Sequence, residues 1–313
     1  MKIAFVFPGQ GSQSVGMLDV FGSDPAVVDV LRRASSALGQ DLAELIARGP
    51  AEELGLTVNT QPCMLAASLA VYAAWRAAGG AEPAMVAGHS LGEYSALTAA
   101  GAFTLEQAVP LVRARARAMQ EATPVGSGAM AAILGLDDDA VRAVCAESAQ
   151  GEVVEPVNFN APSQVVIAGH KAAVDRACAA AKQRGAKRAV PLAVSAPFHS
   201  SLLQPASDVL RGILADLRFE APRIPVVNNV DVAIESDPAR IRDALSRQAA
   251  RPVRWVEVIK RFADEGVTHV VECGPGKVLA GLTRRIDARL EGLAIHDPAS
   301  IQEALKTLGA AHE

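Results

Sequence analysis

Aromatic residues are scarce in this 313-residue chain, at 4%, although half of it is hydrophobic, so its core must be built from Ala, Val and Leu. A basic excess is also missing, since 30 Lys and Arg stand against 34 Asp and Glu for a net charge of −4. That balance argues against general affinity for nucleic acid or anionic membrane. Long apolar runs are lacking as well: the longest, 63–75, contains Ser68 and ends at Arg76, short of the ~18 residues of a membrane span. The apolar start Ile3–Phe7 meets Pro8 before reaching the about 7 to 15 residues of a secretory signal, and reads as a first core strand. The four cysteines, Cys63, Cys145, Cys178 and Cys273, include no close pair. Neither a zinc knuckle nor a disulfide framework is suggested, and the pattern fits reduced thiols in a soluble, cytoplasmic protein.

At ~150 residues per domain, the length allows roughly two domain equivalents. Strand-like runs at Ile3–Phe7, 85–87, 226–228 and 270–272 alternate with longer stretches of helical period, which predicts an α/β protein with a mostly parallel sheet. Between Pro124 and Pro197 the rhythm changes to strand 129–134, helix 137–149, strand 153–158, strand 164–168, helix 171–184 and strand 189–194. That order, βαββαβ, is the ferredoxin-like unit. The turn 160–163 separates its middle strands, and Asp137 is placed to cap the first helix. The small unit, 125–196, is thus expected as an insert in a larger discontinuous body, 1–124 and 197–313. Thr123, Pro124, Gly126, Ser127 and Gly128 supply one candidate hinge and Ser195, Ala196 and Pro197 the other. A cleft between the two bodies is the natural ligand site.

The sharpest local signal is Gly88-His89-Ser90-Leu91-Gly92, a Gly-x-Ser-x-Gly turn between a strand and a helix. Such a turn thrusts its serine outward at the positive end of a helix, which makes Ser90 the candidate nucleophile; a serine N-cap at a glycine-rich turn is the plainer alternative. Spacing does not choose a base among His89, His170, His199, His269, His296 and His312. His89 is adjacent to Ser90 on a sharp turn, so a packing or orienting role suits it better. His199, at the return from the insert, is preferred on placement. Pro8-Gly9-Gln10-Gly11-Ser12-Gln13 forms a glycine-rich loop after the first strand, suited to presenting an oxyanion donor or to serving as a plain turn. It lacks the Lys of a phosphate-binding loop and the third glycine of a dinucleotide fingerprint. Arg113, Arg115 and Arg117 share a helix, but their spacing splits them across faces, so at most one or two turn to the cleft.

Taken in order along the chain, these pieces resemble the malonyl-CoA:acyl carrier protein transacylase family of bacterial fatty acid synthesis, related to polyketide synthase acyltransferase domains. The matching segments are Pro-Gly-Gln-Gly-Ser-Gln at 8–13, Gly-His-Ser-Leu-Gly-Glu-Tyr-Ser-Ala at 88–96, Gly-Ala-Met-Ala-Ala at 128–132, Pro-Val-Asn-Phe-Asn at 156–160, Val-Asn-Asn-Val at 227–230 and Gly-Pro-Gly-Lys at 274–277. The resemblance implies an α/β-hydrolase-like large subdomain with a ferredoxin-like insert. It maps the nucleophile onto Ser90, the base onto His199 and the substrate-carboxylate arginine onto Arg115. It also maps the oxyanion hole onto the N–H groups of Gln10 and Leu91, and the histidine-side glutamine onto Gln248. Gln61, Asn160 and Phe198 are expected near the acyl group. The implied activity is malonyl transfer from malonyl-CoA to the phosphopantetheine thiol of an acyl carrier protein through a malonyl-serine ester, without metal or redox cofactor; a monomer is expected, although nothing in the sequence fixes the oligomeric state. Because carrier proteins are acidic, docking requires a local basic patch, for which Lys187 with Arg188 and Arg284 with Arg285 are the candidates. A serine thioesterase or esterase, or a polyketide-pathway acyltransferase, is the alternative on the same motif. Asp175, which would complete a Ser, acid, His order, reads as a helix-surface residue.

Overall fold

A computed structural model describes residues 1–194 and 196–309. Ser195, assigned above to the second hinge, and His312 lie outside them. In chain order the strands are β1 (Ile3–Phe7), β2 (Met85–Gly88), β3 (Gly128–Leu134), β4 (Val154–Ala161), β5 (Gln164–His170), β6 (Arg188–Pro191), β7 (Val226–Val227), β8 (His269–Cys273) and β9 (Glu291–Ile295). Two sheets result. The first is parallel, in the order β7-β2-β1-β8-β9. Its central strand β1 is buried along its whole length, as a strand covered on both faces must be.

Alternate residues of β1 point to opposite faces. Phe5 and Phe7 join the core built on the helix Thr57–Ala77, with Phe5 and Trp75 ring centroids 5.5 Å apart. Ala4 and Val6 join the core of the helix Trp255–Asp264, around Trp255, Ile259 and Phe262. Each fully buried Phe contributes about 1.5–3 kcal/mol relative to exposure, so this period-two partition pins the strand between its helical layers. No helix among the described residues is long and apolar enough to cross a membrane.

The second sheet is antiparallel, in the order β4-β5-β3-β6. With the helices Asp138–Ala149 and Lys171–Gln183 between its strands it forms the βαββαβ unit that the sequence predicts. Asp137 caps the first helix, accepting from Ala140 N–H at 2.8 Å. Three details differ from the sequence reading. β4 continues through Asn160 to Ala161, leaving a turn of only Pro162 and Ser163; Pro followed by a left-handed residue, φ 59° at Ser163, suits that tight reversal. β6 stops at Pro191 rather than 194, and the chain curls so that Val194 N–H donates to Leu192 C=O at 3.0 Å. β9 was not anticipated because it is an edge strand in which only Ile295 is fully buried.

β4 is tied to the segment between the helices Pro238–Gln248 and Trp255–Asp264 at Val253: Phe159 N–H donates to Val253 C=O at 3.0 Å, and Val253 N–H donates to Val157 C=O at 2.8 Å. Gly128, entering the antiparallel unit, lies against Pro197 beyond its exit, so tightly that a Cβ on Gly128 would come within 2.4 Å of the proline ring. Entry and return are therefore side by side.

Candidate active site

Ser90 sits between β2 and the helix Gly92–Ala99 with φ 53°. A left-handed non-glycine residue costs about 1–3 kcal/mol and persists only where its surroundings enforce it. Here they do. A Cβ on Gly88 would lie 1.8 Å from Gly92 C, and one on Gly92 would lie 2.0 Å from Phe7 O. Only glycines let β1, β2 and the helix close around the corner. Because β1 and β2 are parallel neighbours, their following loops emerge side by side. Gln10 and Leu91 consequently border one cavity of about 120 Å³ with Ser90, Arg115 and His199. Neither the Gln10 nor the Leu91 main-chain N–H donates to another protein group among the described residues.

His199, also left-handed at φ 66°, brings Nε2 to 2.7 Å from Ser90 Oγ. Its Nδ1 is 2.8 Å from the main-chain oxygen of Gln248. A carbonyl only accepts, so Nδ1 carries the hydrogen and Nε2 presents its lone pair to the serine. Gln248 ends the helix Pro238–Gln248, whose negative terminus favours an imidazolium once a proton arrives. Burial, with the neighbouring Arg115 charge, holds the His199 pKa down to about 3. The free imidazole is neutral at physiological pH. Asp175 is exposed and paired with Lys171 at 2.7 Å, the surface role read from the sequence.

Arg115 is 1% exposed. It reaches the cavity from the helix Leu105–Glu121, and its Nη2 donates to Ser90 Oγ at 3.0 Å and to Gln248 Oε1 at 2.9 Å. Nη1 donates to Gln61 Oε1 at 2.9 Å, and the guanidinium lies over the Tyr94 ring at 5.3 Å. Burial lowers its pKa, opposed by Tyr94 and Glu93, yet a guanidinium stays charged. The anticipated split of the arginines is observed: Arg113 turns to Gln40 and Asn59, and Arg117 is exposed. Gln61 and Phe198 line the cavity. Asn160 does not; its Oδ1 holds His89 Nε2 at 2.8 Å, while Asn158 takes the lining position. His89 also packs on Trp255, ring centroids 5.4 Å apart. Lys187, Arg188, Arg284 and Arg285 are exposed and away from the cavity lining.

Two residues given no role by the sequence reading stand behind Ser90. Asn229 accepts from Ser90 N–H at 2.8 Å and donates to Gly88 C=O at 2.8 Å. Glu93, 2% exposed, accepts from Gln248 Nε2 at 2.8 Å and from Asn229 N–H at 2.9 Å. Burial pushes its carboxyl up to about 7 despite those donors. The available signal was an acidic residue inside Gly92–Ala99, an otherwise uncharged helix.

The acyl transferase domain family model matches residues 4–291. The chain belongs to this acyl transferase family. Among curated relatives, the malonyl CoA-acyl carrier protein transacylase of Escherichia coli (strain K12) is 55% identical over 306 residues, covering 97% of this chain and 99% of the relative. The acyl-carrier-protein S-malonyltransferase of Burkholderia pseudomallei 1710b is a solved structure at 67% identity, TM-score 0.96, covering 98% of this chain and 100% of that one. A malonyl-transacylase solved in complex with a type II PKS acyl-carrier protein is 51% identical at TM-score 0.96, with 98% and 100% coverage. The chain is an acyltransferase, and its parallel and antiparallel sheets are the fold shared with these structures.

Proposed function

We propose that this acyltransferase moves malonyl from malonyl-CoA to the phosphopantetheine thiol of an acyl carrier protein, through a malonyl ester on Ser90. The observation that carries this reading is Arg115: a buried guanidinium directed at Ser90 Oγ, whose hydrogen-bond partners are the neutral oxygens of Gln61, Ser90 and Gln248. Among the described residues no carboxylate pairs directly with this buried guanidinium and Glu93 offsets its charge only in part, a costly arrangement for a buried cation. The free carboxylate of a malonyl group on Ser90 would supply that anion, and a guanidinium fork binds it with two parallel hydrogen bonds.

In the first half-reaction Ser90 Oγ attacks the thioester carbonyl as its proton passes to His199 Nε2. The oxyanion is held by the N–H groups of Gln10 and Leu91, donors of a kind each worth about 10²- to 10³-fold in rate. Collapse breaks the C–S bond, and the departing CoA sulfur takes the proton from His199. In the second, the carrier thiol gives its proton to His199 and attacks the ester. The new C–S bond forms, the Ser90 ester bond breaks, and the proton returns to Oγ. No metal or redox group enters this scheme. The body spanning 1–124 and 197–313 would supply Ser90, Arg115 and His199, with 125–196 closing the cleft and limiting water. Gln61 and Phe198 would border the acyl group.

For the carrier, we carry forward the two basic pairs. Leu134 is in register with both Gln164 and Arg188, and Arg285 reaches Gln164 Oε1 at 3.3 Å, so both pairs gather at one end of the antiparallel sheet. A cytoplasmic monomer belongs to the same reading, and the molecular mass in solution tests the monomer. The deciding experiment is intact-mass measurement with malonyl-, acetyl- and methylmalonyl-CoA, before and after adding carrier. A malonyl adduct on Ser90 that persists until carrier arrives is expected. Free malonate without a persistent adduct would replace the proposal with a hydrolase.

A further inference from the structure

We propose that Glu93 is a positioning residue that locks the Ser90 corner and the Arg115 fork together, by holding the Asn229 main chain and the Gln248 amide on one carboxylate oxygen. This rests on the roles given above to Ser90 and Arg115. The strained Ser90 is gripped on both of its peptide groups: its N–H donates to Asn229 Oδ1 at 2.8 Å, and its C=O accepts from Gln248 Nε2 at 3.0 Å. Both gripping residues are fully buried, and both are tied to Glu93 Oε2, at 2.9 and 2.8 Å. The same Gln248 offers Oε1 to Arg115 and its main-chain oxygen to His199. One glutamine thus touches nucleophile, base and carboxylate fork, and Glu93, together with Arg115 and the Ser90 C=O, sets which way its amide faces.

The donor and acceptor inventory fixes that orientation. With the amide reversed, its NH₂ would face the Arg115 Nη2 donor, while its oxygen would oppose both the Glu93 carboxylate and the Ser90 carbonyl. All three contacts would turn repulsive. Glu93 is not among the residues lining the cavity, so it acts on the chemistry only through its neighbours. Its own charge also partly offsets Arg115. Glu93→Ala removes the acceptor the two partners share, leaving the Gln248 amide held only by Ser90 C=O and Arg115, and Asn229 by its side-chain bonds to the corner. Glu93→Gln keeps an oxygen for Asn229 N–H and Gln248 Nε2 while deleting the charge.

Two single-turnover measurements on active-site-titrated protein test this: malonyl loading of Ser90, and labelling of Ser90 by a fluorophosphonate, which makes no use of the carboxylate fork. Since a misplacement near 1 Å costs about 10²-fold, Glu93→Ala is expected to slow loading about 10²-fold and labelling at least tenfold. Glu93→Gln is expected to restore both to within about fivefold, because the hydrogen bonds rather than the charge do the holding. Wild-type rates in Glu93→Ala, or equal damage in Glu93→Gln, overturn the proposal. Should Glu93→Ala fail to fold, Asn229→Ala cuts the same link on the Ser90 side, and a wild-type labelling rate there overturns it. Arg115→Ala separates the two claims. If that variant keeps malonyl preference, the fork assignment fails while the labelling arm still decides on Glu93. If it loses preference but Glu93→Ala labels normally, Glu93 is dismissed and the function stands.

Discussion

Replacing Arg115 by Ala removes the buried cation that lines the cavity, and its cost can be worked from its contacts. For malonyl-CoA the loss is one partner of a buried, hydrogen-bonded ion pair, about 3–5 kcal/mol. At about 1.4 kcal/mol per decade that is roughly 10²- to 4 × 10³-fold in the rate of Ser90 loading. Water entering the vacated space would solvate the malonyl carboxylate and pull the effect toward the lower figure. Acetyl-CoA has no carboxylate to lose. It forfeits the bond from Nη2 to Ser90 Oγ, 3.0 Å long, of a type worth about 1.5–3 kcal/mol, along with the support Arg115 gives to Gln61 and Gln248. Against that, Arg115 is one of the charges depressing His199, so its removal makes the imidazole a stronger base and returns part of the loss. The malonyl-to-acetyl ratio is therefore expected to fall about 10- to 10²-fold, with acetyl loading reduced about tenfold or less. Quenched-flow intact-mass measurement of both loading rates gives the ratio directly, and Arg115→Lys, a point charge without the fork, is expected to recover only part of it. A wild-type ratio in folded Arg115→Ala would end the argument that this guanidinium selects the acyl group.

Because His199 sits at about 3 rather than 6.5 in the free enzyme, its Nε2 lone pair stays available as pH falls. The kcat/KM for malonyl loading, which reports the free enzyme, is expected to stay level down to about pH 5 while near-UV circular dichroism shows the fold intact; an acid limb near 6.5 contradicts this. Gly92→Ala would drive a methyl to 2.0 Å from Phe7 O, so urea unfolding should show a loss of about 1–3 kcal/mol or more, and an unchanged midpoint would refute the packing account. Changing Lys187, Arg188, Arg284 and Arg285 to Glu should raise the carrier KM severalfold, and more at low salt, while malonyl-CoA loading stays intact. Equal loss in both half-reactions would remove the docking assignment.

What the sequence makes legible follows from where its chemistry is local. Ser90 announces itself because a serine between two glycines, with a strand before it and a helix after it, specifies its own corner. The antiparallel unit is equally legible, since its strands and helices repeat at the periods of their own hydrogen bonding, whereas β9 escapes because an exposed edge strand has no inward period to display. The base is different. Spacing does not choose among six histidines and placement only favours His199; what fits it as the base is a carbonyl at the end of a helix 49 residues away in sequence. Gln248 and Arg115 likewise reach Ser90 only through tertiary packing, so the family resemblance could name those two but no spacing rule could. Asn160 shows the limit of that naming: placed near the substrate by resemblance, it instead braces His89 from the edge of β4, and Asn158 borders the cavity. Glu93 shows the opposite limit. It lies inside the most recognisable motif of the chain, yet its partners Asn229 and Gln248 are 136 and 155 residues away. A buried carboxylate in a tight motif becomes interpretable only when the donors that justify its burial are known, which is why this charge is the last element of the site to be understood.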